Sequence, residues 1–86
     1  MIKVGDIVYD ADYPKTYHNL VVIGWIGREA VITKKGNLKK RVGLVVDARI
    51  FTWNPTRLGV SGHIELNDAM KKATEEAIDG LKEARR

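Results

Sequence analysis

The sequence predicts an α+β domain, mainly β: about five short strands in a small, partly open barrel, followed by one C-terminal α-helix. Three observations carry that prediction. Runs of β-branched and aromatic residues are punctuated at short intervals by Gly, Pro, Asn and Asp. One run, HNLVVIGWI from His18 to Ile26, is apolar at odd and even positions alike, so a strand there must be covered on both faces. After Asn67 the apolar spacing changes from that of a strand to that of a helix. Residues 1–66 read as the β-barrel part and residues 67–86 as a helix packed on it, within a single domain. In a chain of 86 residues, two separate cores would each be too small to sustain a fold.

Taken in order, Ile2, Val4, Ile7 and Tyr9 around Gly5-Asp6 predict a first strand with a bulge or bend. The polar stretch DADYPKTY, Asp10 to Tyr17, is a loop, since Pro14 lacks a backbone donor. In the central strand, alternation sends Leu20, Val22 and Ile26 to one face and Val21, Ile23 and Trp25 to the other. Gly27-Arg28-Glu29 predicts a tight connection into Ala30–Thr33. Gly36-Asn37 reads as the turn of a projecting hairpin that returns through Val42–Val46. A further strand over Ile50–Trp53 ends at Asn54-Pro55-Thr56, and Leu58–Leu66, with two glycines, is a short last strand or an irregular crossing. For the helix, Asn67 is the N-cap and Asp68 complements the first turn; Met70, Ala73, Ala77, Leu81 and Ala84, with Ile78 beside them, form the apolar stripe.

Composition narrows the class. With 44% hydrophobic and 30% charged residues the chain is too apolar to remain disordered. It has no cysteine, which excludes a disulfide framework and a thiolate zinc site. MIKVGD lacks the apolar core of a signal peptide and no run approaches the roughly 18 residues of a membrane span, so a cytoplasmic protein with no membrane partner is expected. The formal charge of +4 is local: residues 34–41, KKGNLKKR, contain five cations and no anion, while the remainder is close to neutral.

Few residues point to catalysis. The single serine, Ser61, lies two residues from His63 and would share a strand face with it, but no nucleophile-elbow pattern surrounds the pair. Asp6, Asp10 and Asp12 lack the spacing of a calcium loop, and His18 and His63 lack companion ligands, so no metal is expected. Neither G-x-G-x-x-G nor the P-loop pattern occurs, and no cofactor is expected. The reading is non-enzymatic.

The opening KVGDIVY, followed by a polar loop, a long apolar strand and a basic hairpin, resembles the start of small SH3-like barrels, including the KOW type of ribosomal and transcription proteins. The resemblance covers roughly Lys3 to Trp53 and implies a barrel fold. It carries no activity.

The strongest functional candidate is the basic segment. Lys34, Lys35, Lys39, Lys40 and Arg41, on the arms of a β-ribbon, suit the phosphate backbone of DNA or RNA without sequence specificity. Lysines at a hairpin tip also serve simply to keep an apolar ribbon from pairing with other edges. Tyr13, Tyr17 and Trp53 are the candidates for stacking on bases, whereas Trp25 belongs to the core. The alternative is a protein-interaction module, an adaptor or inhibitor docking on an acidic protein surface. It would use the same hairpin or the helix face Met70, Ala73, Ala77 and Leu81, and a second copy of the chain is one candidate partner for that face. Docking of the helix on its own sheet is the first expectation, because the doubly apolar strand needs a cover.

Overall fold

The structure, a computed structural model, describes all 86 residues. In chain order its elements are β1 (Asp6–Asp10), β2 (Leu20–Ile26), β3 (Glu29–Lys34), β4 (Leu38–Lys39), β5 (Gly43–Leu44), β6 (Phe51–Trp53), β7 (Leu58–His63) and α1 (Asp68–Ala84). Five strands form one antiparallel sheet in the order β6-β3-β2-β1-β7, and β4 and β5 form a separate two-stranded hairpin. The class is therefore α+β and mainly β, with one C-terminal helix. The sheet does not close into a barrel, since its edges β6 and β7 do not pair.

β2 sits at the centre of the sheet and is apolar on both sides, so two cores form, one on each face. On one face Val21, Ile23 and Val31 pack with Leu38, Leu66, Met70 and Ile78, beneath the helix. On the other, Val8, Leu20, Val22, Ala30 and Ile32 are covered by Ile2, Trp25, Trp53 and Leu58. Each large aliphatic side chain so buried contributes about 1.5–3 kcal/mol relative to exposure, and neither layer alone would hide both faces of β2.

The alternation expected for β2 breaks at one point. Val22 pairs with Ile32 and Gly24 with Val31, leaving Ile23 as an extra residue. After this bulge the faces exchange: Trp25 joins Leu20 and Val22, and Ile26 joins Val21 and Ile23. The helix requires the glycine here, because the Ile78 side chain fills the space that a Cβ at position 24 would occupy. β1 also begins later than expected. Gly5, at φ +95°, turns the chain so that its N–H donates to the Val22 carbonyl (2.8 Å) and its C=O accepts from Ile64 (2.8 Å). Ile2 and Val4 therefore precede the sheet.

In α1 the Asn67 side chain accepts from the Met70 N–H at 2.9 Å, the predicted cap. The buried stripe is Met70, Thr74 and Ile78, spaced four apart; Ala73, Ala77 and Leu81 lie half-buried at its flank. The helix thus docks on its own sheet, and Met70 belongs to the core rather than to an outward face. Thr74 tolerates burial because its hydroxyl donates to the Lys71 carbonyl at 3.0 Å. At the far end Arg85 donates to Thr52 Oγ1 (2.8 Å) and approaches Glu29 (3.7 Å), which fixes the helix against β6 and β3.

Candidate functional site: a basic corner beside an aromatic groove

The cations of residues 34–41 lie on a corner built around Thr33, the last buried residue of β3. Its hydroxyl donates to the Arg49 carbonyl at 2.8 Å and accepts from Asn37 Nδ2 at 3.0 Å. Val45 donates to the Asn37 carbonyl (2.9 Å) and Lys35 to the Asn19 carbonyl (2.8 Å). These bonds draw residues 35–37 into a single 3-10 turn, which changes the direction of the chain before β4 begins.

The hairpin turn therefore falls at Lys40–Val42, between β4 and β5, and not at Gly36-Asn37. Gly36 has ordinary backbone geometry, whereas Gly43, at φ +90°, has the left-handed conformation that a glycine permits. Nor does the hairpin project into solvent. Leu38 is buried among the helix-side core residues, and Gly43 abuts the first helical turn so closely that a Cβ there would sit 2.5 Å from the Ala69 carbonyl oxygen. Asn67 Nδ2 donates to the Lys40 carbonyl at 2.9 Å, so one side chain caps the helix and holds the hairpin.

All five predicted cations are exposed, and none takes part in an ion pair. The corner divides them: Lys34 and Lys35 adjoin the loop between β1 and β2, while Lys39, Lys40 and Arg41 sit on the hairpin near the helix N-terminus.

Beside Lys34 lies an open groove of about 880 Å³, walled by Tyr17, Phe51 and Trp53, with His18, Lys34 and Asn37 among its polar lining. Tyr17 meets Trp53 edge to face, with ring centroids 5.0 Å apart. A smaller depression of about 370 Å³ shares Lys34, Asn37 and Phe51 and adds Arg49. Of the three predicted stacking residues, Tyr17 and Trp53 line the groove and Tyr13 does not. Phe51, 45% exposed, was not among them. Its position two residues from Trp53 on one strand, which puts both side chains on the same face, is the signal that would have identified it.

The groove owes its shape to Asp10, which is fully buried at the end of β1. Its Oδ1 accepts from the Asp12 and Tyr13 N–H groups, which fold the loop that carries Tyr17; its Oδ2 accepts from Trp53 Nε1 at 2.9 Å and meets Arg57 at 3.0 Å. Burial alone would raise its pKa, but these hydrogen bonds and the guanidinium outweigh burial and hold it below the usual carboxylate value. At the other end of β1, burial likewise acts to raise Asp6, and bonds from His63 Nδ1 (2.9 Å) and the Lys3 N–H (3.0 Å) reverse it.

The other sequence candidates are not assembled into a site. Ser61 occupies a bulge of β7 opposite Ile7 and Val8, and its hydroxyl donates to the Ile7 carbonyl at 3.3 Å rather than to His63. Asp6 lies at the opposite end of β1 from Asp10 and Asp12, which share Arg57. No helix is long and apolar enough to cross a membrane. No protein-family model, curated protein or solved structure matches this chain.

Proposed function

We propose that this chain is a small non-enzymatic binding module that contacts the phosphate backbone of DNA or RNA through Lys34, Lys35, Lys39, Lys40 and Arg41. The observation that supports the reading is that all five are exposed, without a carboxylate partner and gathered within eight residues, whereas the seven other unpaired cations are dispersed along the chain. These five unneutralised cations lie on a backbone pinned at Thr33 and Asn67, two on one side of the corner and three on the other. Phosphates neutralised there would release counterions, giving a log K against log salt slope of roughly −3 to −4.5 for three to five contacts on a duplex.

The test is a titration of labelled nucleic acid at several salt concentrations with wild type and with Lys39→Glu/Lys40→Glu. The reading requires salt-sensitive affinity that the double reversal largely abolishes. Absence of binding at low salt overturns it.

A second reading, docking on an acidic protein surface, is favoured by one feature. Val42, which follows Arg41, and Val46, just past β5, are exposed, Val46 completely. Apolar side chains add little to phosphate contact but add to the core of a protein interface. Val42→Ser/Val46→Ser separates the two: it leaves nucleic-acid affinity unchanged and weakens a protein complex.

A further inference from the structure

Three of the chain's six aromatic residues converge on the groove between the β1–β2 loop and β6. Two of them keep a large part of their surface in water, Phe51 at 45% and Tyr17 at 42%. Apolar surface left open and gathered in one place marks a binding site more often than scattered exposure does. The volume falls within the ~300–1,000 Å³ typical of small-molecule sites, which is ample for one nucleobase and its sugar.

We propose that this groove takes an unpaired nucleobase while Lys34 holds the adjoining phosphate, so that the ligand is a single strand rather than a duplex. The inference rests on the nucleic-acid reading of the basic corner and adds the strandedness of the polymer. Phe51 offers exposed ring surface and Tyr17 a second wall, held by its edge-to-face contact with Trp53. Every base has a π-face, which is accessible only when the base has left its stack. Asn37 uses its Nδ2 on Thr33, which leaves its Oδ1 to accept from an exocyclic amino group or a ribose hydroxyl. Lys34, Asn37 and Phe51 are shared with the second depression, where Arg49 adds a cation and Asp47 an anion, so the aromatic and amide lining continues beyond one base with a single net positive charge there. A duplex would present its phosphates to the lysines and leave the aromatic walls uncovered. Acidic side chains would satisfy the lysines but have no flat ring to stack on Phe51 and Tyr17.

The test uses the full chain and three polymers of one length at low salt: fluorescein-labelled oligodeoxythymidylate, a duplex, and an abasic deoxyribose-phosphate oligomer. The single strand is expected to bind tightest. Phe51→Ala and Tyr17→Ala are each expected to weaken it by about 5- to 100-fold, at one stacked base per ring, while leaving the abasic oligomer unchanged. Phe51→Tyr is expected to retain affinity. Phe51→Leu, which keeps apolar cover on the strand, is expected to lose it as alanine does, so a folding defect in Phe51→Ala does not blunt the test. Equal binding of the abasic oligomer, or full single-strand affinity in the Phe51→Leu variant, overturns the inference. If salt-sensitive binding lost in Lys39→Glu/Lys40→Glu persists in that case, the phosphate reading stands and only the base site falls. If none of the polymers binds, or polyglutamate displaces the single strand at equal charge concentration, both fall.

Discussion

The Trp53 indole N–H donates to the buried Oδ2 of Asp10 at 2.9 Å, joining residues 43 apart in sequence. Trp53 lies on the edge strand β6 and Asp10 on β1, with β3 and β2 between them in the sheet, so the bond crosses two intervening strands. Trp53→Phe keeps most of the ring and removes the donor. Loss of a hydrogen bond to a charged group is expected to cost about 1.5–3 kcal/mol. Thermal unfolding followed by circular dichroism should show a melting temperature lower by roughly 6–20 °C in a domain of this size. An unchanged melting temperature would show that stability does not depend on this contact.

Acid should unfold the protein through the two ends of β1. Asp6 and Asp10 both titrate below their ordinary value of 3.8 in the folded state. The native state therefore holds their protons more weakly than the unfolded chain. The resulting stability is complete above the unfolded value and is lost as pH falls through the lower folded values. Urea midpoints are expected to be level between about pH 7 and pH 5 and to drop below about pH 4. Asp6→Asn, less stable at neutral pH, should show a shallower acid decline.

Two glycines in the basic segment should respond in opposite ways. Gly36→Ala meets no atom within 4 Å and needs no unusual backbone, so a change within about 0.5 kcal/mol is expected. Gly43→Ala places a Cβ at φ +90° against the helix backbone, with an expected loss of about 2–3 kcal/mol. Chemical denaturation of the two variants checks the position of the turn. A severe effect at Gly36 with a mild one at Gly43 would restore the hairpin geometry expected from sequence.

Charged substitutions should likewise divide the helix. Met70 is only 6% exposed, and Met70→Asp buries an unpaired carboxylate, a change expected to remove several kcal/mol and, in a marginally stable small domain, to unfold it. Leu81, half-buried at the flank, should tolerate aspartate at about 1 kcal/mol or less. Far-ultraviolet circular dichroism distinguishes them. Only Leu81→Asp is therefore suitable for asking whether the outer flank of α1 meets a partner.

The helix was legible in the sequence because its signals are local: the Asn67 cap, the Asp68 charge in the first turn and the change of period. Thr74 escaped notice since a hydroxyl at a core position becomes acceptable only once its bond to the Lys71 carbonyl is known. The central strand was legible as central, but VVIGW has no polar residue to mark a face, so its pattern does not reveal where register slips. Gly24 was the clue, and its reason, the Ile78 side chain, lies 54 residues away in the chain. In the basic segment the composition identified the exposed cations, while strands of two residues are too short for alternation to locate their turn. The aromatic groove depends on Asp10, whose N–H donates to the Tyr17 carbonyl and whose carboxylate accepts from the Trp53 indole; the second bond is a long-range relation that no window of sequence contains.

Asn67 serves the helix with one side-chain atom and the hairpin with the other, at 2.9 Å each. Occupancy of the hairpin and fraying of the first helical turn are therefore thermodynamically linked. A polyanion that immobilises the Lys40 peptide would slow amide exchange at the start of α1, and by reciprocity Asn67→Ala, which unfastens both, would weaken that polyanion's grip without removing a single positive charge.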